Sequence, residues 1–379
     1  MTRKHAHLNR PPFVLAIGIL VLLSFPRTAL ASDPVAEGRI PGLEFEAELI
    51  LDSIAMLDGG VSQGSAMLGK CALTFDLDTG RAGLWKGGRV LVQALGTFGD
   101  EPSSLAGDLQ AFDNIEAGDD LGILEAWVEQ SFGDRTSLLV GYHDLNREFD
   151  VIESARELLN SSFGIGPEIS QIGPSLFPRT HPGARLEFRP TTGSYVKVAG
   201  YSGLECDEGF GDYYTVESGW LRSGLGAFDG AKIAVGAWSL NLDDAQSTTE
   251  SIASGGYLLA EATHVAKSGR TIGAFLRAGE SSNECQPIER YMGAGFRLGN
   301  FLASRPDDVA SLGVARAEID AAHRVAGASG IETTIELTWV AQLNDWLAIQ
   351  PDVQYIDSPA GAIGVDHALV GGIRLIMTY

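Results

Sequence analysis

Charged and amide side chains recur in this chain at every second position. Glu125, Trp127 and Glu129 form one such row, Arg185, Glu187 and Arg189 another, Glu332, Thr334, Glu336 and Thr338 a third, and Gln350, Asp352 and Gln354 a fourth. A spacing of two puts each row on one face of a β-strand. Most of the intervening residues are apolar, as with Leu186 and Phe188 or Ile335 and Leu337, and Arg297 likewise stands between Phe296 and Leu298. A face that mixes carboxylates with guanidiniums can exchange hydrogen bonds with a hydroxylated solute, the charge-assisted ones being the stronger. Paired carboxylates can also flank a glycosidic bond. Glu125 and Glu129, however, are four residues apart on one strand, with Cα atoms about 13 Å apart, too wide for the usual carboxyl pairs of about 5–9.5 Å. Hydrolysis is therefore not expected, and the chain is read as a non-enzyme. The seven histidines are scattered without ligand spacing, so no metal is expected. No glycine loop followed by Lys and Ser or Thr is present, which argues against intrinsic nucleotide-driven transport, and no cofactor is required.

Such rows need strands to carry them. Sixteen alternating segments can be placed, the first at 43–56 and the last at 367–379, separated by Gly, Asp and Ser turns. Each is long enough to cross an outer membrane when tilted, which takes about nine to eleven residues. A charged side chain facing the bilayer midplane costs about 2–4 kcal/mol, so the charged rows should face inward, around water. The expected fold is all-β: a closed, 16-stranded antiparallel transmembrane β-barrel spanning 32–379 with an aqueous channel. Connections alternate accordingly. Short turns fall near 133–136, 190–193, 228–230 and 344–345; long external segments fall near 99–119, 146–181, 203–213, 241–254, 320–330 and 356–366. Those near 79–86 and 299–309 are long for periplasmic turns. In 120–132 the alternation assigns Gly122, Leu124, Ala126 and Val128 to the lipid face and Trp127 to the lumen, where its ring offers a flat surface. Tyr355 and Trp346 read as interfacial girdle residues. Cys71, with Leu73, Phe75 and Leu77, reads as lipid-facing.

The ends of the chain agree. Leu369, Gly371, Ile373, Leu375, Met377 and the terminal Tyr379 share one side of the last strand, opposite Val370, Gly372, Arg374, Ile376 and Thr378. A terminal aromatic in this phase is the expected assembly signal for the barrel-assembly machinery. At the other end Arg3, Lys4 and Arg10 precede an apolar run from Phe13 to Leu23, and Ala29-Leu30-Ala31 supplies small residues, so 1–31 reads as a signal peptide. That segment holds four basic residues and no acidic ones; removing it takes the formal net charge from −22 to −26. Such a surface argues against nucleic acid as a partner. Outer-membrane lipid and lipopolysaccharide are the expected surroundings, and association as a homotrimer is left open.

The longest connection, 146–181, is expected to fold inward and narrow the channel, the alternative being a lid over its mouth. Val151 to Leu159 is expected to form a short helix with Asp150 near its start, followed by a glycine-bent stretch from Asn160 to Pro167. Cys206 and Cys285 fall in the fourth and sixth external loops. They are expected to pair as a disulfide, if the Cα atoms come within about 4.4–6.8 Å; two free thiols, or partners in another chain, are the alternatives.

Several motifs carry a family resemblance. Glu125-Ala-Trp-Val-Glu-Gln130 is followed by Gly141-Tyr-His-Asp-Leu-Asn-Arg-Glu-Phe-Asp150 and Leu159-Asn-Ser-Ser-Phe-Gly-Ile-Gly-Pro-Glu168, then by Trp346-Leu-Ala-Ile-Gln-Pro-Asp-Val-Gln-Tyr355 and Asp366-His-Ala-Leu-Val-Gly-Gly-Ile-Arg-Leu375. In order and spacing these resemble the carbohydrate-selective porins of the Gram-negative outer membrane. The resemblance implies passive diffusion of glucose and related monosaccharides or small oligosaccharides through a constricted channel. Glu125, Asp144, Asn146, Glu148, Asn160 and Ser162 match family-motif positions. With the alternating rows they make the candidate channel set: Glu125, Trp127, Glu129, Asp144, Asn146, Glu148, Asn160, Ser162, Arg185, Arg189, Arg297, Glu332, Glu336, Asp352 and Arg374. The chain departs from the family in ending on Tyr379 rather than phenylalanine and in carrying Cys206 and Cys285. A general diffusion porin for small hydrophilic solutes is the competing expectation, and a non-conducting structural or adhesin barrel a more distant one.

Overall fold

The computed structural model describes residues 40–206, 209–243, 251–282, 286–324 and 326–379. Residues 1–31, expected to be a signal peptide, and Cys285 lie outside the described residues, as does the side chain of Cys206, and so therefore does the expected disulfide. Sixteen strands follow one another: β1 (Leu43–Gly59), β2 (Ser65–Asp78), β3 (Gly88–Gly99), β4 (Asp120–Phe132), β5 (Thr136–His143), β6 (His181–Thr191), β7 (Ser194–Cys206), β8 (Gly209–Leu225), β9 (Phe228–Asp243), β10 (Ser251–Val265), β11 (Thr271–Ser282), β12 (Ile288–Gly299), β13 (Val309–Ile319), β14 (Ile331–Asn344), β15 (Leu347–Asp357) and β16 (His367–Thr378). Every strand pairs antiparallel with its sequence neighbours, and β1 also pairs with β16, closing the barrel. Closure leaves no sheet edge whose N–H and C=O groups would need water, which is the condition for crossing hydrocarbon.

Side-chain alternation does the sorting. Met67, Leu276, Met292, Phe296, Leu337 and Ile373 point outward and are more than half exposed, forming the membrane-facing belt. Glu332, Thr334, Glu336 and Thr338 point inward and are buried. At the closing seam Asp52 of β1 stands opposite Arg374 of β16, and the two form a bidentate ion pair at 2.7–3.0 Å. Tyr379 is joined to β1 by reciprocal backbone hydrogen bonds with Ala47, at 2.8 and 2.9 Å.

Four expectations need correction. β4 carries a bulge where Gln93 opposes Glu125 but Ala94 opposes Ile123. One extra residue inverts the alternation above it, so Leu124 turns inward against Ala72 and Leu95, while Leu121 and Ile123 are the exposed residues. The 203–213 excursion is a tight hairpin, because β7 continues through Cys206 and β8 begins at Gly209. Residues 151–159 are not a helix: they hold one 3₁₀ turn, Glu153–Ala155. Asp150 has φ +56°, a left-handed conformation that cannot begin a right-handed helix, and the barrel wall takes up the backbone groups such a helix would use. Finally, the 100–119 connection is not purely external. Phe112 and Ile115 are buried inside the barrel with Ile54, Leu68 and Val370.

Candidate channel constriction

The segment between β5 and β6 leaves the wall after His143 and packs inside the barrel. Leu145, Phe149, Ile152, Leu158, Phe163, Ile165 and Ile169 are buried against Tyr201, Tyr213, Trp238, Tyr257, Phe275 and Tyr291 of the wall. Wall glycines make room for it: a Cβ at Gly313 would lie 2.5 Å from the Phe163 ring, and one at Gly279 would collide with the Glu168 carboxylate.

Burying an irregular segment obliges its backbone to find partners. Carboxylates of the wall accept its N–H groups, and cations and amides of the wall donate to its carbonyls. Glu125 accepts from the Asp144 N–H at 2.9 Å, Glu217 from Asp150 at 2.9 Å and Glu261 from Ser154 at 3.0 Å. Glu336 takes the successive N–H groups of Leu159 and Asn160. Lys197 donates to the Glu148 carbonyl at 2.8 Å, Lys232 to Val151 at 2.7 Å and Gln350 to Glu157 at 2.6 Å. Arg277, 3% exposed, reaches the carbonyls of Asp150, Ser162, Phe163 and Gly164, and its Nε lies 3.0 Å from the Asp150 carboxylate. The 100–119 segment is held in the same way. Glu332 accepts from Leu109 and Gln110, Gln354 donates to the Phe112 carbonyl, and Arg374 pairs with Asp113 at 3.0 Å.

Most of the candidate set therefore sits in this framework. Asn160 is buried and accepts from the Ser162 N–H and hydroxyl, while its own amide donates to Gln354. Asp144 caps Asn146, whose amide reaches the carbonyls of Phe149 and Gly164. Arg297 is bidentate to Glu157 at 3.0 Å, and Asp352 accepts from Gln354. Arg185, 2% exposed, joins Glu129 to Glu148 at 2.7 Å each. Trp127 is also buried, packed with Leu91 and Leu139 and lying under the Arg89 guanidinium, so its ring face is covered. Arg189 is exposed beside Glu187.

Inward side chains that keep partial exposure occur on β1–β4 and at the start of the inserted segment, and again on β7, β9 and β10, where Lys197, Lys232 and Glu261 line a cavity of about 1040 Å³ with Arg147 and Glu148. Lys70 pairs with Glu48 at 2.9 Å, Arg89 with Asp76, and Arg147 with the buried Glu125 at 2.6 Å. Among these pairs only Glu125 belongs to the candidate set. Arg277 and Glu217 were missed too. Arg277 had a signal, since it is a lone arginine between Leu276 and Ala278, in the same setting as Arg297. Glu217 accepts from the hydroxyls of Tyr195 and Tyr257 at 2.6 and 2.7 Å. Burial raises the Asp150 carboxyl to about 6 even with Arg277 beside it. Burial, reinforced by the Asp150 charge, raises that of Glu168 to about 8. Among the described residues no cluster of three or more His, Cys, Asp or Glu is placed to hold a metal.

A family model for carbohydrate-selective porins, the OprB family, matches residues 62–236 and 230–379. The chain belongs to that family. Porin B of Pseudomonas aeruginosa is 31% identical over 107 residues, a stretch covering 23% of this chain and 24% of that protein's length. The high-pH structure of Pseudomonas putida OprB superposes with a TM-score of 0.78 at 18% identity, covering 89% of this chain and 94% of that one. The low-pH structure of the same protein gives 0.57 at 17% identity, with 89% and 93% covered. At these identities the structural likeness speaks for the OprB barrel fold.

Proposed function

We propose that this OprB-family chain is a passive outer-membrane channel for glucose and related sugars, moving monosaccharides or small oligosaccharides down their gradient. The observation that carries the reading is the inserted 144–180 segment, packed inside the barrel and held to the wall by the buried network, which narrows the lumen. The partly exposed pairs Lys70–Glu48, Arg89–Asp76 and Arg147–Glu125 present charges of both signs on the inner face. Such a surface presents both donors and acceptors to sugar hydroxyls in place of water. The buried members of the candidate set then act at one remove, by holding the segment that shapes the passage. On this reading 1–31 is a leader removed before assembly, both termini are periplasmic, and Tyr379 is part of the signal read at insertion.

Single-channel recording in a planar bilayer tests this. Glucose added to the bath should reduce the ion current in a saturable way, and Arg147→Gln should weaken that inhibition while leaving the barrel folded. A current that falls only with bulk viscosity, identically for glucose and a non-carbohydrate of equal size, would instead identify a general diffusion porin. Absence of conductance would leave a structural barrel.

A further inference from the structure

The outer wall of the barrel carries a concavity of about 360 Å³ at the extracellular ends of β10–β13. Its outward-facing lining combines small residues, Gly256 and Ala278, with Leu258 and Met292, and is bounded by Arg290, Arg316 and Glu318. Leu258 and Met292 are 51% and 63% exposed. The ladder places the charges at the boundary of the apolar belt. Met292, Arg316, Thr333, Asp357 and His367 are successive cross-strand partners, whereas the next outward row toward the periplasm is Val314, Ile335, Tyr355 and Leu369. Arginine on the outer face at this depth meets lipid headgroups rather than hydrocarbon, where it would be penalised. Glu318 lies between the two guanidiniums, 3.3 Å from Arg290 and 3.2 Å from Arg316, and Arg290 also meets Glu289 at 2.9 Å. Both arginine side chains nevertheless remain about half exposed, at 55% and 48%. A guanidinium has five N–H donors, so these contacts leave several directed outward over the trough.

We propose that this concavity binds a phosphorylated glycolipid of the outer leaflet. Arg290 and Arg316 hold a headgroup phosphate, and an acyl chain lies along the trough over Gly256 and Ala278, between Leu258 and Met292. The chemistry favours this occupant. Guanidiniums match phosphate oxygens in a bidentate fork, Glu318 fixes their orientation, and an apolar groove leads from them into the membrane-facing belt. Glu280, cross-strand from Arg290, adds a carboxylate that a divalent counter-ion of the lipid would neutralise. Neither arginine touches the channel, so the site is separate from sugar passage.

The test uses the detergent-solubilised full barrel and purified lipid A as probe, measured by native mass spectrometry and by displacement of a fluorescent lipid A. Two variants are compared, Arg290→Gln/Arg316→Gln and Ala278→Phe, the second filling the trough without changing charge. Both must stay heat-modifiable and conduct like the parent. The proposal predicts that each weakens lipid A binding by about tenfold or more, a loss of about 1.4 kcal/mol or more. Dephosphorylated lipid A should bind the parent as weakly as lipid A binds the arginine variant. Equal binding by all three proteins would overturn it. So would a change of oligomeric state in the variants with lipid affinity unaltered, which would assign the face to contact between copies. Full competition by millimolar inorganic phosphate with no effect of Ala278→Phe would also overturn it, reducing the site to an anion-binding pair.

Discussion

Replacing Arg277 with methionine should undock the segment that narrows the channel. The guanidinium bridges two stretches of the inserted loop, reaching Asp150 on one side and the Ser162–Gly164 carbonyls on the other. Methionine fills much of the volume but donates nothing. Asp150, fully buried, then loses its counter-charge, and breaking a buried ion pair by removing one partner costs about 3–5 kcal/mol. Protonation caps the charge part of that loss: with the docked Asp150 carboxyl already raised to about 6, neutralising it at pH 7 costs about 1.4 kcal/mol. The orphaned carbonyls add to this. With those carbonyls adding about 1–3 kcal/mol, a total shift of about 2–4 kcal/mol changes the ratio of docked to released loop by about thirtyfold to a thousandfold. The assay pairs single-channel conductance with limited proteolysis of 150–170 in the folded barrel. Arg277→Met should conduct more, discriminate less between glucose and a larger oligosaccharide, and be cut within the loop. Adding Asp150→Asn should restore part of the protection, because the amide needs no counter-charge. Unchanged conductance and unchanged protection in Arg277→Met would refute the argument that this buried pair holds the constriction.

Three further outcomes follow from the same geometry. Glu168 is buried with a carboxyl raised from 4.5 to about 8, so the docked loop holds a proton that the released loop surrenders. Docking should therefore weaken as pH rises from about 4.5 through about 8 and level off above; loop proteolysis should be faster at pH 9 than at pH 5, and Glu168→Gln should flatten that dependence, whereas an identical slope in the variant would count against it. Glu336→Gln retains one acceptor for the two N–H groups of Leu159 and Asn160 and should destabilise docking by about 1–3 kcal/mol, read as a partial conductance increase smaller than that of Arg277→Met. Deleting Tyr379 removes its backbone pairing with Ala47 as well as the terminal aromatic; heat-modifiable protein recovered from the outer membrane should fall sharply, and a normal yield would remove Tyr379 from the assembly signal.

The strands were legible because a closed barrel with water inside and lipid outside imposes a period of two on the sixteen strands between Leu43 and Thr378. The β4 bulge was not, since one extra residue leaves the local alternation intact on either side and shifts only its phase. The inward course of 146–181 could be anticipated from its length and glycines, but its internal structure could not. Its backbone is satisfied by Glu217, Glu261, Glu336, Lys232 and Gln350, residues up to 193 positions away, and a backbone N–H or C=O leaves no trace in sequence to show which side chain will meet it. The same reason hid the docking of Leu109 and Gln110 on Glu332. The polar rows at Glu332–Thr338 and Gln350–Gln354 were correctly placed on the inner face. Alternation alone does not distinguish an inward carboxylate that touches water from one that caps a loop.

Liposome swelling with size-matched solutes addresses the central claim most directly. Proteoliposomes carrying the intact barrel should admit glucose and related sugars faster than amino acids and ions of equal hydrodynamic size. A barrel with 150–170 shortened, verified as folded by heat-modifiability, should admit all of them faster and lose the difference. Equal size-corrected rates through the intact barrel would contradict carbohydrate selectivity, and equal behaviour of the intact and shortened barrels would contradict its placement at the inserted segment.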